Sequence, residues 1–460
     1  MRISLLVGLF LSTFAAANCV LAGERPNILL ILSDDQGYAD AGFQGCKDIP
    51  TPNLDRLASE GLHFSNGYVT HPFCSPSRAA VMTGRYQQRF GHENNPFYDP
   101  NDHLEGLPMT EKLLPQFLRD AGYVTGWIGK WHLGAAPEFR PENRGFSETF
   151  GFLGGGHHYL NWMASPGFEG PEYNIPIERN GKPVDVTDHL TIAFGNEGEA
   201  FIKRHQKEPW FLYLAFNAPH TPEEPTPERL ARFVSIADPK RRAYAAQVSL
   251  LDDAIGNVLT AVRETGQERR TLVFFFSDNG GPIGKSWNGS CNLPLRGGKG
   301  QVYEGGIRVP FVISWPGVLP AGHTYDFPVS SLDVFPTALS VAGVPMPTDK
   351  IYDGVNLLPY LTGANTNAAN PQLFWRSGSR QEAVRDHDSK LVQSGNDPQA
   401  LYNLSADIDE TNDLSAARPN DVSRLRSMLD GWIKTLVPPA FPGLRGHAAN
   451  PKDSKQLVEP

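Results

Sequence analysis

Four stretches of the chain are apolar almost without interruption, and each runs out into polar residues: 27–33, 123–129, 209–216 and 271–277. A strand with one wet face alternates apolar and polar side chains, so a run that is apolar at consecutive positions predicts a strand covered on both faces. Such strands belong to parallel sheets sandwiched between helices. The sequence between them agrees. The stretch 51–61 carries Leu54, Leu57 and Ala58 at helical spacing with Gly61 as a stop, and 110–122 repeats the design with Gly122. Alternating strand and helix patterns predict an α/β fold. At 460 residues the chain exceeds the usual size of one domain, which predicts a large domain and a smaller one.

Ligands of open α/β sheets bind beyond the carboxyl ends of the strands. Those ends deliver Asp34 and Asp35, Lys130 and His132, Asn217 and His220, and Asp278 and Asn279. Adjacent carboxylates repel each other and coexist mainly with a cation between them or water around them. Asp34, Asp35, Asp278 and Asn279 form an all-oxygen set suited to a hard cation such as Ca²⁺, and no His/Cys cluster competes for zinc. A further stretch, His71 to Arg85, holds the thiol of Cys74, the hydroxyls of Ser75 and Ser77 and the guanidinium of Arg78 ahead of a helix-like Ala-Ala-Val-Met run. Read for chemistry alone, a thiol at a helix N-terminus beside an arginine has a lowered pKa. The plainer alternative is a small buried hydrophobe followed by a Ser-Pro-Ser turn.

Cys74-Ser75-Pro76-Ser77-Arg78, with Thr83-Gly84-Arg85 four residues on, resembles the signature of the sulfatase family, Cys-x-Pro-Ser-Arg with Thr-Gly following. In that family the signature directs a maturation enzyme to oxidise the cysteine to formylglycine. Gly129-Lys130-Trp131-His132-Leu133-Gly134, the Gly297-Gly298-Lys299 block, Asp333-Val334-Phe335-Pro336-Thr337 and Leu401-Tyr402-Asn403-Leu404 also look like family landmarks, so the resemblance covers nearly the whole chain after the first two dozen residues. It implies an alkaline-phosphatase-like α/β/α sandwich with a large mixed sheet over residues 23–365. A small C-terminal α+β subdomain with a short antiparallel sheet would follow over 366–460. In that subdomain Leu373 to Arg376, Ala383 to Val392 and Leu401 to Leu404 read as strands and Val422 to Leu436 as a helix. The resemblance further implies Ca²⁺ held by Asp34, Asp35, Asp278 and Asn279, with formylglycine from Cys74 completing the sphere. Lys130 and Lys299 would bind sulfate, Arg78 would hold the modified residue, His132 would support its hydroxyl, and His220 would face the leaving-group oxygen and protonate it.

Composition narrows the partners. A formal net charge of -9 without a basic run argues against nucleic acid. Residues 1–22 read as a cleaved export signal: a basic Arg2, a short apolar stretch and Val20-Leu21-Ala22. No apolar run reaches the roughly 20 residues of a membrane span. Periplasmic or secreted placement follows. Of the 4 cysteines, Cys19 leaves with the signal, and conversion of Cys74 would leave Cys46 and Cys291, which pair or stay free. The loop 93–99 with Asn95, and Gly154-Gly155-Gly156 ahead of His157 and His158, suggest a sugar-reading rim in which Asn95 and His158 touch substrate. By resemblance the substrate is a sulfated oligo- or polysaccharide, a galactan such as carrageenan or a glycosaminoglycan. Two alternatives stay open: a phosphatase or phosphonate monoester hydrolase of the same superfamily, and a non-catalytic sugar-binding protein on the same scaffold.

Overall fold

The computed structural model describes residues 25–160, 167–168, 170–378 and 381–442. The expected signal segment and Cys19 lie outside them. The strands are β1 (Asn27–Ser33), β2 (Leu62–Phe64), β3 (Gly67–Tyr68), β4 (Val124–Lys130), β5 (Glu148–Phe152), β6 (Glu178–Arg179), β7 (Lys182–Pro183), β8 (Trp210–Ala215), β9 (Thr271–Ser277), β10 (Phe311–Ser314), β11 (His323–Tyr325), β12 (Val329–Ser330), β13 (Gln372–Arg376), β14 (Gln381–Asp386), β15 (Ser389–Ser394) and β16 (Ala400–Asn403). Ten of them make one sheet in the order β11-β2-β10-β9-β1-β8-β4-β5-β6-β7. The central run β9-β1-β8-β4-β5 is parallel, and antiparallel pairings begin at β10 on one side and β6 on the other. The four apolar runs are therefore adjacent strands at the centre of a mixed sheet.

Both faces are covered, as their composition requires. Ile28, Leu30 and Leu32 of β1 pack with the helices Leu114–Asp120 and Val334–Val341 through Leu114, Leu118, Phe335 and Ala338. Leu29 and Ile31 face the other way, onto the helices Leu190–Arg204 and Pro239–Glu264 through Phe194, Phe201, Leu251 and Ile255. The expected helices start later or end sooner than the residue patterns suggest, at Pro52–Ser59 and Leu114–Asp120, each with proline in its first turn.

The C-terminal subdomain is an antiparallel sheet in the order β13-β14-β15-β16 with the helix Pro419–Ile433. The stretch 383–392, expected as one strand, is a hairpin: β14 and β15 pair about His387, whose φ of 55° reverses the chain. His-Asp lacks the Asn-Gly or Asp-Gly composition that announces such a turn. The sheet is apolar on both faces. Ala383, Val392 and Trp375 pack on Tyr68, Val302, Tyr303 and Ile307 of the large domain, while Val384, Leu391 and Leu401 are covered by Leu425, Leu429 and Trp432. No helix among the described residues is long and apolar enough to cross a membrane.

Candidate active site

Because the central strands are parallel, their carboxyl ends open on one side, and the polar residues after them converge there. Two backbone bonds extend the ladder past the strands: Asp34 N to the Ala218 carbonyl and Asp278 N to the Ser33 carbonyl, both 3.1 Å. Asp35 takes a left-handed φ of 62°, which aspartate tolerates better than most residues, so consecutive carboxylates both enter the site.

The helix Cys74–Thr83 brings the third contribution. Its first turn has no intrahelical N–H bonds to lose, so Pro76 is accommodated there. The Asn95 carboxamide oxygen accepts from Ser75 N at 3.1 Å. Gly84 ends the helix at φ 67°, donating to the Ala80 carbonyl, and a Cβ there would strike Phe335 at 2.6 Å. The Thr-Gly of the signature is thus a helix stop, and Arg85 pairs with Glu111 away from the site. Cys74 is fully buried at the helix start with Sγ 3.6 Å from Asp34 Oδ1. Burial pushes its thiol well above the ordinary range, outweighing the lysines nearby. Burial thus opposes the lowered pKa that a helix terminus and Arg78 alone would give, and agrees with the plainer alternative of a buried small side chain.

Around these groups charge is closely matched. Arg78, wholly buried, donates to Asp278 Oδ2 through Nε at 2.9 Å, pairs with the same oxygen through an NH2 group at 2.7 Å, and donates to the Lys130 carbonyl at 3.2 Å. Lys130 Nζ lies 2.5 Å from Asp34 Oδ2 and Lys299 Nζ 2.8 Å from Asp35 Oδ2. Three carboxylates, Asp34, Asp35 and Asp278, thus meet three cations, Arg78, Lys130 and Lys299. Burial alone would raise Asp35; Lys299, then His220, overcome it and hold that carboxyl at about 2. Lys299 sits correspondingly well above its usual range, held there against burial by Asp35.

The acceptor sites left open point to a cation. Asn279 gives its amide N–H to Asp35 Oδ1 at 2.6 Å and to the Gly280 carbonyl, which fixes its orientation and leaves Oδ1 buried without a partner. A buried unpaired acceptor costs about 1–3 kcal/mol unless something ligates it. Asp34, Asp35, Cys74 and His220 offer ligand atoms all within 4.8 Å of one another. Asp278 is more fully used, by Arg78 and by Asp35 N at 3.3 Å. The expected all-oxygen set is not what clusters: the carboxylates of Asp34 and Asp35 and the open Asn279 Oδ1 suit a hard cation, but the Cys74 thiol and the His220 imidazole, which also suit zinc, stand among them.

Burial favours the neutral form of both site histidines, His132 and His220. Burial, then Lys130, holds His132 well below its usual range; its Nδ1 is unpartnered and its φ is 58°. Its carbonyl accepts from Ser75 Oγ at 2.5 Å. Burial lowers His220 to about 3. Its Nδ1 lies 2.7 Å from the Thr221 carbonyl, so the ring proton belongs there and Nε2, 3.6 Å from Asp35, presents a lone pair. In this state the ring accepts a proton; donating one requires a second.

The expected sugar contacts fare differently. His158 is buried with both nitrogens engaged, Nδ1 by Glu224 at 2.7 Å and Nε2 by the Phe168 carbonyl at 3.0 Å. It braces a loop and has no free atom for a sugar. Asn95 caps the Cys74 helix through its oxygen. Cys46 and Cys291 are free thiols. Residue patterns also missed Glu172, which accepts from Gly155 N at 2.8 Å and Tyr98 N at 3.2 Å and so joins the two rim loops. Its partners are backbone groups, which carry no sequence signal.

The Sulfatase family model matches residues 26–344, and a second, described as N-sulphoglucosamine sulphohydrolase, C-terminal, matches 298–433. The chain is 37% identical over 397 residues to N-acetylgalactosamine-6-sulfatase of Canis lupus familiaris, covering 81% of this chain and 73% of that protein. It is 39% identical over 360 residues to the Homo sapiens protein of the same name, covering 74% and 66%. The crystal structure of Ps i-CgsB in complex with k-i-k-neocarrahexaose superimposes with a TM-score of 0.87 at 36% identity, over 95% of this chain and 100% of that one. With the signature helix, the strand-end residues and these relatives in agreement, the chain belongs to the sulfatase family of the alkaline-phosphatase-like superfamily and is a sulfuric ester hydrolase.

Proposed function

We propose that this protein is an exported sulfatase that removes sulfate from a sulfated oligo- or polysaccharide, using formylglycine made from Cys74 and a Ca²⁺ ion. The observation that carries the reading is the charge balance of the site: three buried carboxylates against three buried cations, with Asn279 Oδ1 left open. A divalent ion added to that balance leaves a net positive site matched to an anionic sulfate ester. Asp34, Asp35, Asp278 and Asn279 would hold the ion, which would supply Lewis-acid stabilisation of negative charge on sulfate. Formylglycine in its hydrated form supplies two hydroxyls on one carbon, one to attack sulfur and one to release the product.

The chain's own residues do the rest. Lys130 and Lys299, each already anchored to an aspartate, bind sulfate oxygens without reorganising. Arg78 fixes the first turn of the helix against Asp278, so residue 74 stays aligned with Asp34. His132, neutral with an open Nδ1, takes or gives a proton at the residue 74 hydroxyl. His220 faces the departing sugar oxygen with Nε2 and, after taking a second proton there from solvent, delivers it to that oxygen.

The relatives support carbohydrate sulfates: an N-acetylgalactosamine-6-sulfatase by name and a structure holding a neocarrahexaose. A sulfated galactan or a glycosaminoglycan is the proposed substrate class, with no nucleic acid partner, and a formylglycine-generating enzyme is the proposed maturation partner. Free sulfate measured from neocarra-oligosaccharides and from N-acetylgalactosamine-6-sulfate oligomers, with protein matured alongside that enzyme, tests this. Release from one class supports it; matched aryl esters losing phosphate faster than sulfate would overturn it. Export is tested by the N-terminus of the mature protein, expected at Gly23.

A further inference from the structure

Lys299 stands on a loop whose two legs close where Gly305 N donates to the Arg296 carbonyl at 2.8 Å. Its tip is stitched to the large domain by Lys299 N to the Gly281 carbonyl at 3.0 Å and Gly300 N to the Pro72 carbonyl at 2.9 Å. The loop is tightly folded: a Cβ at Gly305 would lie 2.3 Å from the Gly297 oxygen, and one at Gly306 1.9 Å from that of Gln301, while Val302 and Tyr303 are buried in the core between the two parts of the chain. Its base is also held from the C-terminal subdomain. Arg296 donates to the Glu410 carbonyl at 2.9 Å, and Glu304 N donates to Glu410 Oε2 at 2.7 Å. One residue therefore grips both legs, the first through its backbone and the second through its side chain.

Glu410 is itself held. Lys390, fully buried on β15, gives one bond to Glu410 Oε1 at 2.9 Å and another to Glu304 Oε1 at 2.7 Å. Glu304 Oε2 accepts from Tyr68 OH at 2.5 Å and pairs with Arg308 at 3.2 Å. Glu410 takes a left-handed φ of 51°, which is strained for a residue other than glycine. That conformation accompanies its carbonyl and carboxylate both meeting the loop.

We propose that Glu410, fixed by Lys390, is a positioning residue for Lys299: the C-terminal subdomain is a clamp that sets where the second sulfate-binding lysine stands. The inference rests on the reading of Lys299 as a sulfate ligand, and the test separates the two. In matured enzyme assayed with 4-nitrophenyl sulfate, Glu410→Ala lowers kcat/KM by about ten- to a hundredfold, the scale of a displaced binding group. Glu410→Gln, which keeps an acceptor for Glu304 N, restores most of it. In a Lys299→Ala background, Glu410→Ala costs less than about twofold more, because its effect passes through a group already removed. Full additivity overturns the clamp. A Lys299→Ala variant with unchanged kcat/KM overturns instead the sulfate-ligand reading. Amide hydrogen exchange supplies a readout independent of activity and also serves if the alanine variant does not fold. Lys390→Met speeds exchange over residues 296–306 while the Asp35 and Asp278 amides keep their protection; unchanged exchange over 296–306 overturns the clamp.

Discussion

Two of the clusters of buried charge among the described residues are finished differently. At the strand ends Asp34, Asp35, Asp278, Arg78, Lys130 and Lys299 pair among themselves, yet Asn279 Oδ1 and His132 Nδ1 beside them have no partner. Between the large domain and the C-terminal subdomain, Glu304, Glu410, Lys390, Arg308, Arg385 and Tyr68 are equally buried, and none of them has a buried side-chain atom without a partner. Leaving a buried polar atom unpaired is costly, so a fold tolerates it where something else will bind. On the proposed function the open cluster carries the chemistry, while the closed one joins the large domain to the C-terminal sheet.

That contrast can be broken by substitution. Cys74→Ala should lower sulfate ester hydrolysis by about 10³-fold or more, with the urea midpoint nearly unchanged, since the nucleophile is lost from the open cluster and no pair is broken. Lys390→Met leaves Glu410 without its cation while Glu304 keeps Arg308, and should cost about 3–5 kcal/mol, read as a lowered urea midpoint. Lys130→Met leaves Asp34 with Arg78 still 3.6 Å away; its stability loss should be smaller than that of Lys390→Met while activity falls about 10²–10³-fold. A larger stability loss for Lys130→Met than for Lys390→Met would erase the distinction.

Calcium should act on the open cluster alone. Saturating Ca²⁺ should stabilise the protein by up to about 2.7 kcal/mol at a hundredfold excess over Kd, and chelation should reverse it. Asn279→Ala should weaken that response and Lys390→Met should keep it, as measured by thermal midpoint against Ca²⁺ concentration. Asp333 extends the closed class. Its oxygens accept from Ser330 N and Val355 N at 2.8 Å and from Asn370 at 2.7 Å, and burial lifts its carboxyl to about 7. Its folded pKa is raised, so its contribution to stability is complete below the unfolded value near 3.8 and is lost as pH rises through about 7. The resulting slope is at most about 1.4 kcal/mol per pH unit, and Asp333→Asn should flatten the urea-midpoint profile over that window.

The open cluster was the more legible in sequence. Its residues follow apolar strands or stand in a short signature, so position along the chain already says that they meet. Lys130, His132, His220, Asp278 and Asn279 were readable for that reason. The fate of His158 was not, because Glu224, the carboxylate that occupies its Nδ1, is 66 residues away with no pattern linking them. Asn95 was noticed as a polar rim residue, while its use as a cap on Ser75 N depends on where the loop returns. The closed cluster was legible only as scattered pieces: by resemblance Glu410 and the block 295–310 with Glu304 and Arg308 look like family landmarks, but nothing in the sequence says that they meet Lys390. Glu304 opens a short helix, Glu304–Ile307, and Lys390 lies 86 residues away on β15, where a lysine in a strand normally reads as solvated. The hairpin at His387 was missed because its turn lacks the usual residues.

The central claim is that Cys74 is the precursor of an aldehyde at the open cluster and not a nucleophilic thiol. It is tested most directly by measuring, on the same preparation, free sulfate released from a sulfated oligosaccharide and the mass of the peptide carrying residue 74. The account predicts that activity rises in proportion to the fraction of peptide in which CH2SH has become CHO, and that Cys74→Ala is inactive. Full activity in protein whose residue 74 is entirely unmodified thiol would contradict it.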